Sequence, residues 1–189
     1  MIVASLVAVG AFAEVQRRSW VDIGSAATIA VAERQGVVYL HPMMALIGEL
    51  GDAQSAAVRG DRVDAAAVRS AVDAVASADR QVGQALGARQ RFSDLRGRID
   101  AALTGGSTGR SAYQTYTDVM ALSIDLFRQV GDDSRLIHDQ DLDSYYVMVA
   151  AVVQLPDAIV NAGRAADLVA LAGSSQLQGD DAIRAGGGR

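Results

Sequence analysis

The chain has 189 residues, a formal charge of −5 and no cysteine. That length suits one domain, or part of a larger one, and the lack of cysteine removes disulfides, thiolate metal sites and cysteine nucleophiles together. All 17 basic residues are Arg and they are dispersed, so an acidic chain offers no basic stripe for a phosphate backbone, which argues against nucleic acid as a partner. The Arg and Asp bias reads first as the codon pressure of a GC-rich genome. Half of the residues are apolar, mostly Ala and Val, but only 5% are aromatic and two are Pro. That balance favours long packed helices over sheets.

Residues 1–13 carry no charge. They are too few to cross a bilayer, which takes about 20 apolar residues, and no basic stretch precedes them as in a secretory leader. The segment reads as the outer end of a transmembrane helix that starts upstream, as a chain begun at an internal start, or as a buried N-terminal helix; the first is preferred. Arg17 and Arg18 just after it would then lie outside the membrane, weakly against the positive-inside rule.

A first helical stretch is expected from about Val3 to about Val58, with Val31, Val38, Leu46 and Leu50 recurring on it. Gly36 and Pro42 interrupt it, and Pro42 predicts a kink near His41 because it lacks an amide and clashes with the preceding turn. Gly60 and Asp61 mark a turn, and Asp61 or Asp64 can cap the next helix. That second helix is predicted from about Val63 to Leu103, where Val68, Val72, Val75, Val82, Leu86, Phe92, Leu95, Ile99 and Leu103 step mostly by three and four. This stripe faces a core or a dimer seam, leaving Asp73, Arg80, Arg91 and Arg98 to solvent.

Gly105 to Gly109 reads as a loop. It is no phosphate loop, since the chain has no Lys and the preceding segment is helical. A third helix, about Ser111 to Val130, places Tyr113, Thr117, Met120, Ile124 and Phe127 on one face, and Gly131-Asp132-Asp133 loosens it. A fourth, about Leu142 to Leu171, turns Tyr145 or Tyr146, Val149, Val152, Ile159 and Ala166 inward, with a kink at Pro156. Residues 173–189 are a Gly-rich, incomplete segment. The fold class is therefore all-α: an up-down antiparallel bundle of about four long helices, whole or a fragment of a larger bundle, with residues 14–172 as its body.

Two stretches go beyond generic helix. Residues 32–42 run Ala-Glu33-Arg34-Gln-Gly36-Val37-Val-Tyr39-Leu-His41-Pro42. Residues 130–148 run from Val130 through Asp133-Ser134-Arg135-Leu136-Ile-His138-Asp139-Gln140-Asp141-Leu142-Asp143-Ser144-Tyr145-Tyr146 to Met148, with Leu155-Pro156 after them. Together they resemble the extracytoplasmic helical sensor regions of bacterial chemoreceptors, sensor histidine kinases and diguanylate cyclases. Those regions carry an E-x-x-G-V-x-Y-x-x-P pattern and a later D-S-x-L-x-x-D-P-D-L-D-S-Y-Y-L-M segment. The resemblance spans about Ser19 to Leu171 and departs at Gln140 (Pro expected), His138 (an aliphatic) and Val149 (Asp). It implies a signal-sensing domain on the outer side of the cell membrane, held by flanking membrane helices and working as a homodimer. It also implies that a second span and a signalling output, such as a kinase or a cyclase, lie beyond this piece.

Asp139-x-Asp141-x-Asp143 opens like a calcium loop, but its sixth position is Ser144 and its twelfth Ala150, where Gly and a bidentate Glu are needed. Asp141 and Asp143 read better as a cap and a first-turn acid of the fourth helix. Tyr145 and Tyr146 read first as core residues; the functional alternative is a pocket they line, in which Arg34, Arg135 or His138 binds a carboxylate or similar anion. The two histidines, His41 and His138, make no metal pair, and no metal or cofactor is expected. Pro42, Pro156 and Gly131 are the expected points of movement. These residues read together as a sensory input module and not an enzyme, with a ligand-free structural or adaptor bundle as the alternative.

Overall fold

The computed structural model describes the backbone of residues 2–136 and 154–186 and the side chains of residues 28–136 and 154–173. The described residues form five α-helices and no strand: α1 Ile2–Arg59, α2 Ala65–Ala78, α3 Arg89–Thr104, α4 Gly109–Asp133 and α5 Leu155–Gly186. Among them no helix is long and apolar enough to cross a membrane.

The core is built on α1. Tyr39, Met43, Leu46 and Leu50 step by four, three and four, with Ile47 beside Leu46, and each is fully buried; Ala53 and Ala57 continue the line at 4% and 3% exposure. Val31 and Val38, expected on this face, are exposed instead. Val38 lies about 80° around the helix from Leu46, at 3.6 residues per turn, and so points past the core. Gly36 does not interrupt α1, and Pro42 lies inside it.

The end of α1 has a local cause. Gly60 takes a left-handed φ of 76°, Asp61 N donates to Ala56 O (2.8 Å) and Gly60 N to Ala57 O (3.1 Å). The long bond across a left-handed glycine closes the free carbonyls of the last turn. Asp64 then caps α2 by accepting from the Ala66 and Ala67 amides at 3.1 and 3.0 Å. Asp61 pairs instead with Arg59 at 2.9 Å.

The expected single helix over residues 63–103 is two. After Ala78 the chain winds into a π turn, Asp79–Gly83, and leaves it through Gly87 at φ 57°. Gly83 has no side chain because the Asp79 carboxylate sits where its Cβ would be, with Cγ 2.7 Å from that point. A side chain at 83 would displace that carboxylate and with it the bond from Tyr39, and glycine takes the left-handed turn at 87 without strain. The apolar stripe survives the break: Val68, Val72, Val75, Leu86, Phe92, Leu95 and Ile99 are all buried.

Pairings across helices give their directions. A Cβ on Gly36 would overlap Ser134 and meet Leu136, while one on Gly51 would meet Met120 (3.7 Å), so α1 and α4 run antiparallel. Tyr39 bonds Asp79 and α2 follows a tight turn, so α2 is antiparallel to α1 as well. Gln129 on α4 donates to Gly87 O at the start of α3, whereas Ala101, Ala102, Thr115 and Asp118 share one groove; α3 is thus antiparallel to α4, and residues 79–88 reverse the chain. On α4, Tyr116, Val119, Met120, Ile124, Phe127 and Val130 are buried. Tyr116 takes the core position expected of Tyr113, which is half-buried, and α4 continues through Gly131 to Asp133.

Helix α5 lies against both α1 and α4. Arg128 on α4 pairs with Asp157, and Ser55 on α1 donates to Asp167 Oδ1 at 2.8 Å. Pro156 is buried near the start of α5, two residues after the π-helical Gln154. The inward face of α5 is Pro156, Val160, Asp167 and Leu171. Ile159 and Ala166, expected inward, are exposed.

Candidate functional site

The C-terminal end of α4 is the most unusual stretch of backbone among the described residues. Ser134 N donates to Val130 O and Arg135 N to Asp132 O, both at 3.0 Å, and these bonds close the last turn. Arg135 then adopts φ 61°, the single positive value at a described residue other than glycine. The left-handed conformation costs an L-residue about 1–2 kcal/mol. Tertiary packing holds it there: the next residue, Leu136, is buried, and Ser134 is fully buried with its hydroxyl bonded to Gly131 O at 3.1 Å. Ser134 and Leu136 together fill the space that Gly36 leaves on α1.

Arg135 is carried outward by this turn. Its exposed side chain borders a notch of about 310 Å³ shared with Thr28, Ile29 and Ala32 of α1. Among the described residues, no hydrogen-bond or ion-pair partner engages its guanidinium. The negative end of the α4 dipole stabilises a cation at this point. Asp132 and Asp133, exposed in the last turn, weaken the field felt by an anion, so the attraction of an anionic group must come from direct charge-assisted bonds to the guanidinium.

Of the residues expected to form a ligand site, Arg135 lies in this notch. Arg34 is exposed on α1 and is not among the residues that line it. His138, Tyr145, Tyr146, Asp141 and Asp143 lie outside the described residues. Pro42 is half-buried in α1, and His41 beside it is exposed. Among the described residues no group of three or more His, Asp or Glu is placed to hold a metal ion.

Two polar arrangements have no counterpart in the sequence reading. The first joins the reversal to α1. The fully buried Tyr39 donates its hydroxyl to Asp79 Oδ1 at 3.1 Å. Burial first, then the charge and hydrogen bond of Asp79, push the Tyr39 hydroxyl well above the usual tyrosine range. Burial alone also raises Tyr116. The second arrangement lies between α1, α4 and α5. Gln54 and Asp167 are each 2% exposed, and Gln54 Nε2, Thr117 Oγ1 and Arg164 Nε are buried without a hydrogen-bond partner among the described residues. Thr117 is one turn before Met120 and Gln54 one turn beyond Gly51, which Met120 faces, so the two stand at one level of the antiparallel pair. The spacing of α4 placed Thr117 on the inward face, but no apolar period marks Asp79, Gln54, Arg164 or Asp167.

No family model, curated protein or solved structure matches the chain. The residues and their geometry are therefore what a functional reading rests on. A further groove, of about 540 Å³, runs between α3 and α4 over Ala101, Ala102, Val119 and Leu122, with Arg98 and Asp118 on opposite sides. It is floored by small side chains and holds no buried polar group of the kind that fixes a small molecule.

Proposed function

We propose that the chain is the signal-sensing input module of a bacterial membrane receptor, an up-down helical bundle placed on the extracytoplasmic side and joined to the membrane through flanking helices. In this reading the module binds a small anionic ligand, works as a homodimer and carries out no reaction itself. One observation supports it above the others. The two stretches that resemble such sensor regions are about 100 residues apart, and Gly36 of the first packs directly on Ser134 and Leu136 of the second. The turn they jointly hold presents Arg135, which has no partner among the described residues, in a strained backbone. Strain that the surrounding structure enforces is commonly found at binding and switch sites.

The ligand acts by preferring one arrangement of α1 and α4 over another, since only a difference in affinity can move the equilibrium. Thermal unfolding of the chain in a panel of small carboxylates and inorganic oxyanions tests the reading, with Arg135→Gly alongside. A ligand at a hundred times its Kd stabilises the native state by about 2.7 kcal/mol. Arg135→Gly is expected to be more stable without ligand by about 1 kcal/mol, because glycine tolerates the left-handed turn, and to lose the ligand response. Equal responses in the two proteins would remove Arg135 from the site.

A ligand-free structural or adaptor bundle is the second reading. What favours it is the apolar outer face of α5, where Leu155, Ile159, Leu168 and Val169 are exposed. It predicts no response to any member of the panel, together with tight self-association.

A further inference from the structure

Helix α5 is docked with an acid on its inward face. The buried positions Pro156, Val160, Asp167 and Leu171 fall within a narrow arc at about 100° per residue. They bring a carboxylate to 2% exposure with the Ser55 hydroxyl as its hydrogen-bond donor. Around that carboxylate's level, Gln54 Nε2, Thr117 Oγ1 and Arg164 Nε are buried and have no hydrogen-bond partner among the described residues. Meanwhile Leu155, Ile159, Ala162, Ala166 and Val169, spaced by four, three, four and three, face outward, with Val169 73% exposed. A helix placed by apolar burial alone would turn this regular stripe inward and give Asp167 to water. The observed placement instead buries a charge, and a buried charge is retained only while its partner stays in place.

We infer that α5 is a two-position helix, held in the observed position by the Ser55–Asp167 latch and able to turn on its own axis so that the Leu155–Ile159–Ala162–Ala166–Val169 stripe packs on α1 and α4. The centres of the two faces are about 130° apart at 3.6 residues per turn, so a rotation of roughly a third of a turn exchanges them. The observed position buries the Asp167 carboxylate and Arg164 Nε, and the apolar position returns these two α5 groups to water, while Gln54 and Thr117 keep their places on α1 and α4. The apolar position gives up the latch and the Arg128–Asp157 pair. The two positions are close enough in free energy for one hydrogen bond to decide between them, which is the property of a bistable element. The inference rests on packing alone and holds whichever functional reading is right.

The chain has no cysteine, so single cysteines report each face without background. Val160→Cys marks the buried face and Val169→Cys the exposed one, and the rate of thiol labelling is measured for each in the full chain, with and without Ser55→Ala. Removing the hydroxyl leaves the Asp167 carboxylate unpaired in the observed position alone, which shifts the equilibrium on the order of tenfold or more. Labelling at position 160 then rises by about tenfold while labelling at 169 falls, and neither change depends on protein concentration. Asp167→Leu, which suits the observed position, slows labelling at 160 further. If Ser55→Ala speeds 160 without slowing 169, α5 detaches rather than turns, and the inference fails. It fails too if the slowing at 169 grows with concentration, which would mean a second copy covers the stripe, or if neither site responds. Should Val160→Cys not fold, Leu171→Cys reports the same face.

Discussion

Replacing Gly36 with alanine is the sharpest probe of how α1 and α4 meet. In an isolated helix the change is favourable by about 1 kcal/mol, since glycine is a poorer helix former than alanine. Here the new methyl would overlap the Oγ and Cβ of Ser134 and stand 2.8 Å from Leu136 Cδ1. Ser134 cannot swing aside, because its Cβ is fixed to a backbone held by the Ser134–Val130 bond (3.0 Å) and by the left-handed Arg135 next to it. Overpacking against a rigid neighbour costs about 1–3 kcal/mol, and moving the turn away would instead lose the burial of Leu136, about 2 kcal/mol. Set against the helix gain, the net expectation for Gly36→Ala is a loss of about 1 kcal/mol, within a range of about 0–2. Gly48 supplies the control: it is exposed on the same helix with nothing within 4 Å of its Cβ position. Gly48→Ala is expected to gain about 0.5–1 kcal/mol. Urea unfolding followed by circular dichroism measures both, and the two variants should move the midpoint in opposite directions. If Gly36→Ala stabilises the chain as much as Gly48→Ala does, residues 134–136 do not pack on α1.

Single contacts elsewhere carry their own expectations. Tyr39→Phe leaves the ring packing intact and removes the hydroxyl from Asp79; it should cost about 1 kcal/mol, because Asp79 is half-buried and water can partly replace the bond. Tyr39 also sets an alkaline limit. Its native pKa lies above the unfolded value of about 10, so its contribution to stability is complete below that pH and is lost as pH rises further; unfolding measured between pH 8 and 11, on the order of the tyrosine range, should show a steeper loss in the parent than in Tyr39→Phe. Asp64→Ala removes the side-chain acceptor for the Ala66 and Ala67 amides and should cost about 1 kcal/mol, whereas Asp61→Ala, which breaks only an exposed pair with Arg59, should change stability by less than about 0.5 kcal/mol.

Much of the fold could be read from the chain because local chemistry decided it. The stop at Gly60 and Asp61, the loop expected at residues 105–109 and found at 105–108, and the buried stripe from Val68 to Ile99 all depend on local residue chemistry. The cap was narrowed to two acids, and only backbone geometry chooses Asp64 over Asp61. What escaped was decided at a distance. The stripe over residues 63–103 steps mostly by three and four, and its one step of six, from Leu86 to Phe92, is too slight a lapse to announce a reversal; the break lies where the Asp79 carboxylate, bonded by Tyr39 from another helix, sits against Gly83 and where Gly87 turns left-handed. On α5 the rule that apolar residues face inward gives Ile159 and Ala166, one position off the true face, because this helix buries an acid. At the candidate site, the positive charge of Arg135 was visible, but Asp-Asp-Ser-Arg carries no glycine to announce a left-handed residue. The meeting of Gly36 with Ser134 joins parts of the chain too far apart for spacing to relate.

The reversal at residues 79–88 also shapes how the chain acquires its structure. It divides the first 133 residues into two helical hairpins, α1 with α2 and α3 with α4, each closed over a connection of a few residues. Closing such short loops costs little entropy, and local contacts form quickly. The seam between α1 and α4 brings together residues as far apart as 36 and 134, so it is the slow, non-local step, taken by two units already built. An uninterrupted helix over residues 63–103 would have offered no such subdivision. In amide exchange, the order of assembly should reappear in reverse: α5 opens first, the seam next, and the turn around Asp64 last.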